Sequence, residues 1–116
     1  MRQLATLTSE MQGDVIVARI DGEVDMSNAD PLGTRLRGLL TNRSETLVVD
    51  LSPTTYLDSS GIRLLFELAD DLRRRQQQLH IVLPENSPIR RVITLTGLDQ
   101  AMPTHPTLET ALAEAA

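Results

Sequence analysis

The sequence predicts an α/β domain, with one mixed sheet that opens on a β-hairpin and continues through alternating helices and strands. Three observations predict it. Apolar and polar residues roughly alternate from Gln3 to Thr8 and again from Asp14 to Ile20, the period of half-buried strands. "TLVVDL" and "LHIVLP" are short apolar runs between polar flanks, as expected of strands buried on both faces. Leucines recur at helical spacing around them. At 116 residues the chain has the length of one packed core, so residues 1–116 are read as a single domain.

Each element has its own warrant. "EMQGD" supplies the glycine for the opening turn. Leu32, Leu36, Leu39 and Leu40 mark a first helix from about Asn28 to Thr41, with Ser27 or Asn28 as its cap. "TLVVDL" is the next strand, and "SPTTYLDSSG" is the loop after it. Ile62, Leu65, Phe66, Ala69 and Leu72 form one face of a second helix, broadened by Leu64 and Leu68. Arg73, Arg74 and Arg75 stand near its C-terminus, where cations favour the helix dipole. "LHIVLP" is a strand stopped by Pro84. A third helix is expected over Ser87–Leu95, with Gly97 suited to its C-cap. "QAMPTHP" holds a last short strand, and "TLETALAEAA" a closing helix with Thr107 and Thr110 in an imperfect capping box. The expected total is four to five strands and about four helices.

Composition excludes several classes of function. The only aromatics are Tyr56 and Phe66, and the net charge is -5. Few rings for base stacking and an acidic surface argue against direct nucleic-acid binding and against anionic membranes. No cysteine is present, which removes disulfides, thiolate nucleophiles and sulfur-based zinc sites and fits a reducing compartment. All 11 basic residues are arginine, so neither Walker-type phosphate binding through lysine nor Schiff-base chemistry is available. "MRQLATLTSE" lacks the apolar stretch of a signal peptide, and no run approaches the ~18 apolar residues of a membrane span. A cytoplasmic protein with no membrane insertion is expected, and no cofactor is predicted.

The stretch "YLDSSGIRLL" stands apart. It places Asp58, Ser59, Ser60 and Gly61 at the mouth of an apolar helix, at the sheet edge where α/β proteins hold their functional groups. A serine hydroxyl there can cap the helix for about 1 kcal/mol. The same helix end tolerates a phosphate. Gly61 costs about 1 kcal/mol relative to alanine within a first turn, and its missing side chain is expected to let a partner or a kinase approach Ser60 closely. Spacing alone does not choose between Ser59 and Ser60. Asp25 and Asp58 are candidates for orienting the hydroxyl or touching a kinase, and equally for forming a turn and supplying helix N-terminal charge.

"DLSPTTYLDSSGIRLL" resembles the phosphorylation segment of STAS-domain anti-sigma factor antagonists. "IDGEVDMSNAD" is similar to the family's Gly-Glu-hydrophobic-Asp segment, and "SPIRRVITLTGLDQAMPTHPTLETALA" to its C-terminal third. The resemblance implies the STAS fold and a partner switch. In the family the unmodified protein binds an anti-sigma factor that is also a serine kinase, which frees a sigma factor. Phosphorylation from ATP turns binding off, and a metal-dependent serine phosphatase restores it. The family pattern places the phosphate on the second serine, here Ser60, with Asp25, Asp58, Ser59, Gly61, Ile62 and Arg63 in the partner-binding region. Pro53 and Tyr56 depart from it, Tyr56 standing where phenylalanine is more frequent. Arg63 stands where a small residue is frequent, a difference that bears on which kinase docks. STAS domains also serve as accessory subunits of lipid or anion transport systems and as stress-signalling scaffolds, the alternative reading.

Enzymatic readings find little support. A serine hydrolase needs a histidine base, and His80, placed at the start of its strand, falls at the edge opposite the serine loop. His105 is able to share the serine's edge, but no Gly-x-Ser-x-Gly elbow is present. Two isolated histidines and scattered carboxylates give no metal-ligand spacing.

Overall fold

The computed structural model describes residues 4–40 and 46–115. Strands β1 (Ala5–Gln12) and β2 (Val15–Val24) form the predicted hairpin, antiparallel and in register from Ala5 opposite Gly22 to Gln12 opposite Val15. Helix α1 spans Ala29–Arg37, β3 Thr46–Asp50, β4 Thr54–Leu57 and α2 Ser59–Arg74. Strand β5 covers Gln78–Val82, α3 Arg90–Thr96, α4 Leu98–Ala101, β6 Thr104–His105 and α5 Leu108–Ala115. The predicted ends at Gln3 and Thr41 lie outside the described residues.

The sheet runs β1-β2-β3-β5-β6, with β4 paired to β2 beyond the end of β3. All pairs after the hairpin are parallel. The mixed sheet is therefore as expected, while six strands and five helices among the described residues exceed the predicted counts. Strand β4 is the main addition. It forms because β2 outruns β3: Val15–Arg19 pair with β3, and after a register shift at Gly22/Glu23 the same strand offers Glu23 and Val24 to Tyr56 and Leu57. Thr54 anchors the start of β4 by donating its hydroxyl to Ile20 O at 2.7 Å and is fully buried.

The main core lies between the sheet and α1–α4, built from aliphatic side chains including Ile20, Leu36, Leu47, Leu65, Leu68, Ile93 and Leu98. Helix α2 buries the predicted face, with Ile62, Leu64, Leu65, Leu68, Ala69 and Leu72 all inside. Fully burying such side chains contributes about 1.5–3 kcal/mol each before the entropy of ordering is counted. A smaller cluster of Val15, Val17, Val48 and Val82 fills the other face beneath Ala111 of α5.

Helix ends differ from expectation in instructive ways. Asn28, one of the two expected positions, is the N-cap of α1 but makes no side-chain capping bond; instead Asn28 Oδ1 accepts the Asp25 amide at 2.9 Å, and Asp25 O accepts the amides of Asn28 and Ala29. Helix α3 begins at Arg90 rather than Ser87, because the Ser87 hydroxyl accepts the Ile89 amide and holds a turn around Pro88. Gly97 ends it in the left-handed conformation (φ 77°), as predicted, a backbone state that glycine adopts without Cβ strain. At α5 the Thr107 hydroxyl accepts the Thr110 amide at 3.1 Å.

Candidate functional site

Parallel strands β2 and β4 end side by side. Val24 and Leu57 are register partners, and the Asp58 amide donates to Val24 O at 3.3 Å. Asp25 and Asp58, 33 positions apart in sequence, are therefore the first residues past the ends of two adjacent strands, at the C-terminal edge of the sheet.

Each aspartate organises the backbone that follows it. The Asp25 carboxylate accepts both the amide (2.8 Å) and the hydroxyl of Ser27. The Ser27 hydroxyl bond, then the Ser27 amide bond, hold its carboxyl below the usual range against a smaller opposing effect of desolvation. Asp58 is the N-cap of α2: its Oδ1 accepts the amides of Ser60 at 2.8 Å and Gly61 at 3.3 Å. Asp25 thus takes the turn-forming role the sequence left open, and Asp58, for which helix N-terminal charge was expected, is the cap itself.

The capping role proposed for a serine hydroxyl is thus corrected. Asp58 satisfies those amides, and Ser59 and Ser60 are the first two residues of the helix proper. Among the described residues neither serine side chain makes a hydrogen bond. Ser59 is exposed and Ser60 half-buried. Ser60 lines a groove of about 190 Å³ between α1 and α2, together with Met26, Ala29, Asp30, Arg37, Arg63 and Glu67. Arg37 joins the two helices, its Nε 2.8 Å from Asp71 and its terminal nitrogen 3.7 Å from Glu67. That Arg37 contact keeps the Asp71 carboxyl below its usual range, opposed by desolvation and aided by Arg74.

Gly61 and Ile62, predicted among the partner-contacting residues, are buried. Ile62 belongs to the main core. A Cβ on Gly61 would stand 2.4 Å from Leu57 Cδ1, 3.0 Å from Leu57 Cγ and 3.2 Å from Val24 Cγ1. The missing side chain therefore serves close approach of α2 to β4 and β2, and the expectation that it opens space for an outside partner is corrected. Arg63 is exposed.

Sequence reasoning missed the walls of the groove. Met26, beside the polar turn that Asp25 organises, is 83% exposed. Its place directly after Asp25 was the available signal. Arg37 and Glu67 gave none, since only the packing of α1 on α2 brings them to Ser60.

The histidines lie elsewhere. His80 is the third residue of β5, not its first, and faces the α5 side of the sheet. Its Nδ1 is 2.9 Å from His105 Nε2, the rings lie 9° from parallel, and both residues are buried. His105 is the second residue of β6. Neither histidine lines the Ser60 groove. Arg73 and Arg74 pair with Asp70 and Asp71 along the solvated end of α2. Among the described residues no three metal-binding side chains cluster, and no helix is long and apolar enough to cross a membrane.

The mixed sheet of this order carries an aspartate-capped Ser-Ser-Gly that opens the helix after β4, and the family model for the STAS domain matches residues 6–111. The chain belongs to the STAS domain family. It is 31% identical to the anti-sigma-F factor antagonist RsfB of Mycobacterium tuberculosis over 92% of this chain and 86% of RsfB. A crystal structure of an anti-sigma factor antagonist from Mycobacterium paratuberculosis superposes with a TM-score of 0.85 at 32% identity, covering 96% of this chain and 93% of that one. The fold is shared with Bacillus SpoIIAA, solved unphosphorylated (TM-score 0.74, 22% identity, 94% of this chain and 95% of that one) and phosphorylated (0.68, 22%, 96% and 100%).

Proposed function

We propose that this protein is an anti-sigma factor antagonist, a binding protein rather than an enzyme, and that phosphorylation of Ser60 switches its binding off. The observation that carries the proposal is the Ser60 hydroxyl, which has no hydrogen-bond partner among the described residues and lines the groove beside the exposed Met26. The relatives at 31–32% identity favour the antagonist role over a transport subunit or a scaffold.

In the unmodified state the Asp25–Met26 turn, Asp58, Ser59, Ser60 and Arg63 form the surface offered to an anti-sigma factor with serine-kinase activity. Binding buries the Met26 side chain, an apolar contact of the kind that anchors an interface. During modification the Ser60 Oγ forms a bond to the γ-phosphorus of ATP, the bond to the bridging oxygen breaks, ADP leaves, and the hydroxyl proton passes to a base on the kinase. The product carries about 1.5–2 negative charges at pH 7, close to the Asp58 carboxylate that holds the Ser60 amide and in a groove that Asp30 and Glu67 also line. Docking then demands desolvation of a dianion among carboxylates, and the complex is released. A metal-dependent serine phosphatase reverses the step. Arg63, exposed and in the same groove, contributes to which kinase is accepted.

The test is binding of Ser60→Ala and Ser60→Asp variants to the anti-sigma factor by calorimetry. Ser60→Ala is expected to bind as the unmodified protein does, and Ser60→Asp at least about 10-fold more weakly, equivalent to 1.4 kcal/mol. Equal affinity of the two variants would contradict the switch.

A further inference from the structure

We propose that Arg63 is the internal counter-ion of a phosphate on Ser60, so that the modified side chain is held within the α1–α2 groove by a charge pair inside α2. The proposal rests on Ser60 being the modified residue. A phosphate at a helix start ordinarily takes the free amides of the first turn. Here Asp58 already holds the Ser60 and Gly61 amides, at 2.8 and 3.3 Å, which leaves the Ser59 amide in the first turn, and a dianion with three acceptor oxygens calls for a side-chain donor as well.

Ser60 and Arg63 both line the groove and stand three residues apart on one helix, a spacing that sets Cβ atoms about 5–6 Å apart. The two cations of the groove are unequally engaged. Arg37 is committed to Asp71 and Glu67. Arg63, among the described residues, makes no ion pair and no side-chain hydrogen bond. Its planar guanidinium matches two phosphate oxygens at once. Asp30 and Glu67 also face the groove and oppose a dianion, which makes an unengaged cation the feature that decides where the phosphate rests.

The pairing gives modification a double effect on the surface. It replaces a hydroxyl with a dianion and, in the same event, withdraws the Arg63 charge from any partner that had used it. Loss of binding then has an attractive component removed as well as a repulsive one added.

The test installs phosphoserine at position 60 during translation, without any kinase, and follows the phosphate's second ionisation, near pH ~6, by phosphorus NMR. Arg63→Gln is expected to raise that pKa by about 0.15–0.4 units. Arg75→Gln, which removes the same charge at the exposed far end of α2, is expected to raise it by less than a third as much, and Arg63→Lys to restore part of the shift. Equal shifts for Arg63→Gln and Arg75→Gln would overturn the proposal. Because no kinase is involved, a failure of Ser60 as the physiological target leaves this titration intact, and a failure of the titration leaves Ser60 as the target.

Discussion

The Asp58 carboxylate accepts the Ser60 amide at 2.8 Å, and this contact releases the Ser60 hydroxyl from any part in starting α2. One residue begins the helix and another is left free for chemistry. The division of labour lets a modification arrive on Ser60 without dismantling the cap that holds the helix end.

Removing that cap has a defined cost. Asp58→Ala leaves the Ser60 and Gly61 amides without their acceptor and is expected to destabilise the domain by about 0.5–2 kcal/mol, with Asp58→Asn recovering most of it. Urea unfolding measures both. A loss no larger in Asp58→Ala than in Asp58→Asn would show that the cap contributes little.

Gly61→Ala opposes two effects. Alanine is the better helix former by about 1 kcal/mol, but its Cβ meets Leu57 Cγ at 3.0 Å and Val24 Cγ1 at 3.2 Å, with Leu57 Cδ1 closer still. Overpacking typically costs about 1–3 kcal/mol, so net destabilisation is expected. Shortening Leu57 makes room, and the double variant Gly61→Ala with Leu57→Ala is expected to be more stable than the sum of the single losses predicts. Strict additivity would argue against the contact.

The buried histidine pair makes stability depend on pH. Burial, and secondarily the charge of His105, lower the His80 pKa below its ordinary 6.5, with Glu114 opposing. The unfolded chain therefore binds a proton at a pH where folded His80 does not, and it gains protons on unfolding as pH falls through 6.5. The contribution is complete above that value and is lost progressively below it, until folded His80 is itself protonated. Unfolding measured across this interval is expected to show a decline that His80→Gln flattens. An unchanged profile in the variant would assign the dependence to other groups.

Met26 separates binding from folding. At 83% exposure its replacement is expected to change stability by less than about 0.5 kcal/mol. As an interface anchor its loss costs more than about 1 kcal/mol of binding. Met26→Ala is expected to unfold as the parent does yet bind the anti-sigma factor at least about 5-fold more weakly. Unaltered affinity would remove Met26 from the interface.

What the sequence disclosed follows the range over which its signals act. Helix α2 was legible because Ile62, Leu65, Ala69 and Leu72 repeat within one element, and the Asp58–Gly61 motif because it is contiguous. Strand β4 was not, since "TTYL" has mixed polarity and follows a proline; it becomes a strand only because β2 extends past β3 to receive it. Gly61 was recognised as costly, but the direction its missing Cβ faces depends on Leu57 and Val24 lying beneath it. Arg37 and Glu67 joined the site through the packing of α1 on α2, a relation no local pattern records.

The most direct measurement is phosphate mapping by fragment mass spectrometry after incubation with ATP and the cognate anti-sigma factor kinase. A single phosphate on Ser60, absent from Ser60→Ala, is the predicted result. Modification confined to Ser59 or to a distant residue, or a Ser60→Ala protein still phosphorylated to the same extent, would contradict it.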